Sequence, residues 1–146
     1  MFVLRLNAGV PQLAGPCGPD PWYLEFGPDD DPVEVVSRLS ENLLGRPLLV
    51  HSTSWRRSRG SVILSFVVVI DDGQALHLEG IPIERAELAR SAATQAPKSI
   101  AAAQVIEHGL RHLSWLAHDD SNVQAVLSPA WKQVLAGYTP EPFQHL

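Results

Sequence analysis

The chain has 146 residues, 45% hydrophobic and 18% charged, a size and balance that suit one globular domain over residues 1–146 and exclude a disordered chain. Its formal charge of −5 argues against nucleic acid as a partner, because phosphate binding calls for many Lys and Arg contacts. The longest apolar run, residues 66–70, is too short to span a bilayer, and the first residues lack a secretory pattern. With one cysteine, Cys17, no internal disulfide forms, so a cytoplasmic protein without a membrane partner is expected.

Residues 1–7 alternate Phe2, Leu4 and Leu6 against Val3, Arg5 and Asn7, the period of a strand. The proline- and glycine-rich stretch 9–21 is expected as loop, and 22–26 as a short strand with Trp22, Leu24 and Phe26 on one side. The first helix is signalled by Asp31 as N-cap, Pro32 at the first helical position and Glu34 in a capping-box position. Val35, Val36, Leu39, Leu43 and Leu44 form its apolar stripe, and Gly45 and Pro47 stop it.

Residues 48–55 and 61–70 pattern as a hairpin around the polar segment 56–60. A tight turn would set His51 opposite Phe66, Thr53 opposite Leu64 and Trp55 opposite Val62 on one face. The second strand is apolar on both faces and is expected to be covered on both. Asp71-Asp72-Gly73 then turns the chain into a shorter strand at 75–79. The remainder is helical: a modest helix at 84–93, a long one from about 97 to 118, short ones at 121–127 and from Ser128-Pro129 to 136. Residues 138–146 form a docked or frayed tail. The expected fold is α+β, a mainly antiparallel sheet with the 48–55/61–70 hairpin central, packed against a C-terminal helical half. The predicted core contains Val36, Leu39, Leu43, Val50, Leu64, Phe66, Val68, Ile106, Leu110, Leu113 and Leu116.

On the long helix, Ala102, Val105, Ile106, Gly109, Leu110, Leu113 and Leu116 share one broad face, and Glu107, Arg111 and Ser114 lie opposite. His108 and His112, four residues apart, occupy the flank with Trp115, their Cβ atoms about 5–6 Å apart. The pair could share a proton or a metal ion, but Asp119 lies about 10 Å along the axis from His112. A third ligand would have to be His51 or His77. No metal and no cofactor are expected, and the two helix imidazoles are expected to be solvent-accessible. His51 beside Ser52 is a weak catalytic pattern, since successive strand residues point to opposite faces.

Trp55, Arg56, Arg57 and Arg59 set an aromatic beside three guanidinium groups, a combination suited to an anionic ligand, and Trp115 is a further ligand-binding candidate. Phosphate-cradling and dinucleotide glycine patterns are absent. The sequence therefore points to a non-catalytic ligand-binding or protein-interaction module, self-associating into a homo-oligomer through Trp115 and Trp131. The alternative is a small enzyme acting on a phosphorylated or nucleotide substrate, with His108 and His112 as acid, base or ligand beside Arg56, Arg57 and Arg59. The enzyme requires the two groups to meet in one cleft; the binding module does not.

Overall fold

The structure, a computed structural model, describes residues 1–16, 21–75, 77–86 and 102–142. The first strand, β1 (Phe2–Asn7), is followed by β2 (Val10–Ala14), where loop was expected. Ala8 and Gly9 take φ of 49° and 78°, so they make a two-residue turn of the type that matches strand twist. In that hairpin Asn7 pairs with Val10 and Leu6 with Pro11. The Pro11 nitrogen and carbonyl point away from β1, and the carbonyl accepts from the Ile83 N–H at 3.1 Å. A proline is therefore tolerated inside the sheet.

The expected strand at 22–26 is an extended segment without a ladder. It is tied down by Trp22, whose N–H donates to the Met1 carbonyl at 2.9 Å and whose indole donates to the Ala14 carbonyl at 3.1 Å. Helix α1 (Pro32–Leu44) begins where its signals lie, with the Asp31 carboxylate accepting from the Val33 and Glu34 N–H groups. Glu34 does not complete a capping box; it pairs with Arg38 one turn on, at 2.7 Å. Leu43, predicted as core, is exposed at the helix end.

Strands β3 (Leu49–Ser58) and β4 (Ser61–Val69) form the expected hairpin, longer than predicted because Arg59 and Gly60, at φ 47° and 83°, close it in two residues. Arg56 and Arg57 thus belong to a strand. The register also differs from expectation. Leu49 to Ser52 pair with Val69 to Phe66, Thr53 is bulged out, and Ser54 to Ser58 pair with Ser65 to Ser61. His51 consequently faces Val67, and Trp55 faces Leu64. The extra residue moves Trp55 to the sheet face opposite His51.

The last strand, β5 (Gly80–Pro82), starts later than the predicted 75–79 and pairs with β2. The chain is still turning before it: Ala75 sits at φ 52° and its carbonyl accepts from Arg5 Nη1 at 2.7 Å. Gly80 passes against Arg5 and Gln12, leaving no room for a Cβ. The strand order is β3-β4-β1-β2-β5, with β1 and β4 parallel and the other pairings antiparallel. The sheet is therefore mixed. Strand β4 is internal, as its two apolar faces require, but β3 lies at the edge and β1 holds the centre.

Each sheet face carries its own core. Met1, Val3, Phe66, Val68 and Ile70 pack with Val36 and Leu44 of α1. Phe2, Leu4, Leu6, Val67 and Val69 pack on the other side with Ile106, Leu110 and Leu113 of α2 (Ala102–Asp119). Residues 97–101 of the predicted long helix lie outside the described residues, as do 87–93 of the modest one; 84–86 are not helical.

Of the α2 face predicted to be polar and outward, Glu107 and Ser114 are buried, while His118 is exposed; α3 (Ser121–Val126), α4 (Pro129–Leu135) and the chain beyond follow the helix, and Ser114 is covered from α4 onward. Glu107 is enclosed by Arg85, at 3.1 Å from each carboxylate oxygen, and by Arg111 at 3.0 Å. Burial alone would raise its carboxyl; the hydrogen bonds from Arg85 and Arg111 more than offset this and hold it below the usual range. Arg85 also stacks over the Tyr138 ring at 4.0 Å. The Ser114 hydroxyl lies within reach of the Leu135 and Tyr138 carbonyls, at 2.9 and 3.1 Å. Trp131 is buried, its indole donating to the Ile70 carbonyl at 3.3 Å, and so offers no surface to a partner. The tail is docked at Glu141, whose N–H donates to the Arg111 carbonyl; residues 143–146 lie outside the described residues. No helix is long and apolar enough to cross a membrane among the described residues.

Candidate functional site

The structure separates the two groups of residues expected to carry chemistry. The first forms where α2 crosses the sheet. Gly109 permits the crossing, because a Cβ there would stand 3.1 Å from Thr53 Cγ2 and 3.2 Å from Val67 Cγ1. This close approach sets His112, one turn further on, against His51 of β3. The His51 Nε2 and His112 Nδ1 atoms are 2.8 Å apart, a hydrogen bond in which one ring donates and the other accepts. Trp115 stacks on His112 with ring centroids 5.7 Å apart and planes inclined by 12°.

His112 is therefore buried, not solvent-accessible as expected. Burial, reinforced by the neighbouring His51 and His108, lowers its pKa to about 4, and burial lowers that of His51. Near neutral pH both rings of the bonded pair are uncharged. A proton taken up at the outer nitrogen of one ring can be relayed by such a pair, the shared proton shifting across the bond as another leaves the outer nitrogen of the second ring. Among the described residues, no group of three or more His, Cys, Asp and Glu side chains is arranged to hold a metal ion. Thr53, one bulge away, gives its hydroxyl to the Ser65 carbonyl at 3.2 Å, and Cys17 lies outside the described residues. His77 is exposed in the turn before β5.

The second group is the hairpin end of the sheet. Trp55, Arg56, Arg57 and Arg59 are all exposed there, Trp55 by 68%. Strand β4 outruns β1 at this end. Their pairing starts at Phe2 and Val67, so 62–65, paired with β3 on one side, have no strand on the β1 side among the described residues. A cleft of about 510 Å³ opens along that uncovered edge. Its walls come from Trp22, Tyr23, Leu24 and Phe26, from Pro32, Val35 and Val36 of α1, from 62–66 of β4, and from Ala102 and Val105 of α2. Among its described lining residues Arg56 is the one cationic side chain, and none is a histidine.

Of the predicted site residues, His51, His108 and His112 thus gather in one place with Trp115, and Arg56 meets a cleft elsewhere. Trp115 serves the histidine cluster rather than the arginines. The cleft itself was not anticipated, since its walls are scattered along the chain. A signal was present in Tyr23 and Phe26, two aromatics that join Trp22 in one short stretch and are both exposed. Compared with known protein families, with curated proteins and with solved structures, the chain matches none.

Proposed function

We propose that the chain is a non-catalytic binding module whose site is the cleft at the hairpin end of the sheet. It takes an apolar ligand bearing an anionic group. The observation that carries this reading is the composition of the cleft: apolar and aromatic walls around one guanidinium, Arg56. Sites for organic ligands are concave and mostly apolar, with a few polar groups that fix orientation. A guanidinium suits a carboxylate, sulfonate or phosphate through paired N–H donors. An enzyme built on His108 and His112 needs the arginines in the same cleft, and among the described residues the lining of this one holds Arg56 and no histidine.

The test uses anilinonaphthalene sulfonate, an aromatic anion whose fluorescence rises on entering an apolar site. The natively folded protein should bind it saturably and quench the emission of Trp22 in the wall. Arg56→Gln should weaken binding by about three- to tenfold while leaving the melting temperature unchanged, since an exposed guanidinium contributes little to stability. Absence of saturable binding to the folded protein, or an Arg56→Gln variant that binds equally well, would remove the proposal.

A further inference from the structure

The cleft runs along the edge of a strand, not over one face of the sheet. Consecutive residues 62–66 of β4 line it, and their side chains alternate between the two faces. Val36 and Val105, which belong to the cores on opposite faces, line it as well. A ligand lying there meets main chain before it meets side chains. The edge at 62–65 is about 13 Å long at about 3.3 Å per residue, and no strand pairs with it on that side among the described residues. From Leu48 to Ile70 the sequence holds no Asp or Glu, while Arg56, Arg57 and Arg59 are clustered at the tip.

From the open edge, the two-faced lining and the unbalanced positive charge, we infer that the cleft takes an extended peptide segment with apolar and acidic side chains, which adds as a strand beside β4. The inference rests on the binding-module reading and names its ligand. Main-chain hydrogen bonds to Val62 and Leu64, the residues of 62–65 whose N–H and C=O groups point away from β3, supply affinity, as in other cases of strand addition. Alternate side chains of the peptide drop to the Trp22 and Val35 side and to the Val105 side. A carboxylate at the hairpin end meets Arg56. Four residues of edge are enough for one short strand and leave the β1–β4 pairing untouched.

The experiment begins by panning a random heptapeptide library displayed on phage against the whole chain. Enriched sequences should alternate apolar residues and carry Asp or Glu. Synthetic copies of the best sequence are then methylated at one backbone nitrogen at a time. Methylation at every second position should weaken binding about tenfold, with little effect between, because only alternate N–H groups face the β4 edge. Bound peptide should slow amide exchange at Val62 and Leu64, and Arg56→Glu should select basic sequences in place of acidic ones. Failure to enrich any sequence, equal tolerance of methylation at all positions, or unchanged exchange at Val62 and Leu64 would overturn the inference. So would an edge already occupied by a second copy, seen as a dimer in sedimentation that the peptide dissociates. If anilinonaphthalene sulfonate still binds in an Arg56-dependent way when peptides fail, the cleft stands and only its ligand is misassigned. If neither binds, the underlying reading fails too.

Discussion

His112 has a well-defined expected titration. Its folded pKa, about 4, lies below the ordinary imidazole value, so the unfolded chain takes up the proton first as pH falls. The contribution to stability is complete above about pH 6.5 and is lost progressively toward pH 4. The expected loss is on the order of 1–3 kcal/mol, and His51, lowered in the same direction, adds to it. Because carboxylates titrate in the lower part of the same range, the check is a comparison. Urea unfolding of the protein and of His112→Phe is measured at pH 7.5 and 4.5. The protein should lose more stability than the variant. Parallel losses would mean that the imidazole is not held uncharged by its surroundings.

Gly109 is the second residue on which the geometry turns. Alanine is favoured over glycine inside a helix by about 1 kcal/mol. Here its Cβ would press on Thr53 and Val67, and overpacking of that kind costs about 1–3 kcal/mol. Gly109→Ala should therefore lower the melting temperature and disturb the stack of Trp115 on His112, read as a change in near-ultraviolet circular dichroism. A raised melting temperature would show that α2 stands farther from the sheet.

At the scale of elements, α2 is the helix most heavily built upon. Its two buried faces explain why its polar side chains deviate from a simple amphipathic pattern. Glu107→Ala would leave the Arg85 and Arg111 guanidinium groups without their shared carboxylate. Because Arg85 is about half exposed and water screens it, the expected cost is about 1–3 kcal/mol, less than for a fully buried pair. Chemical denaturation measures it directly. Phe66→Ala removes a side chain from the α1-side core and should cost about 3–5 kcal/mol; a cost below about 1 kcal/mol would show that β4 does not occupy that position.

The same elements show which parts of the fold sequence patterns reveal. Helix α1 was legible because its signals are local: Asp31, Pro32 and Gly45 act within one turn of where they stand. The hairpin of β3 and β4 was legible from its apolar alternation, but its register was not. Thr53 is bulged, and nothing in His51-Ser52-Thr53-Ser54 announces an extra residue. The missed β2 has a similar cause, for a proline-rich stretch suggests loop until Ala8-Gly9 is seen to close a tight turn. Glu107 and Ser114 look solvent-facing because the groups that cover them, Arg85 for one and the Leu135 and Tyr138 carbonyls for the other, lie more than twenty residues away.

At the scale of the molecule, the histidine pair was half visible. The spacing of His108 and His112 is a helix property, whereas His51 reaches them only through tertiary packing at Gly109. The cleft was invisible to periodicity altogether. Its walls come from the segment after β2, from α1, from β4 and from α2, and they meet where β4 runs beyond its pairing with β1. A basic, apolar cleft on a chain of net charge −5 concentrates the positive charge where an anionic ligand would dock.

The most direct test of this assignment is an amide chemical-shift map of the folded protein titrated with anilinonaphthalene sulfonate. Two regions compete for the ligand: the edge cleft, and the histidine cluster beneath Trp115. The largest shifts should fall on 22–26 and 62–66, with His51, His112 and Trp115 little changed. Shifts centred on His51, His112 and Trp115, with 62–66 undisturbed, would contradict the assignment.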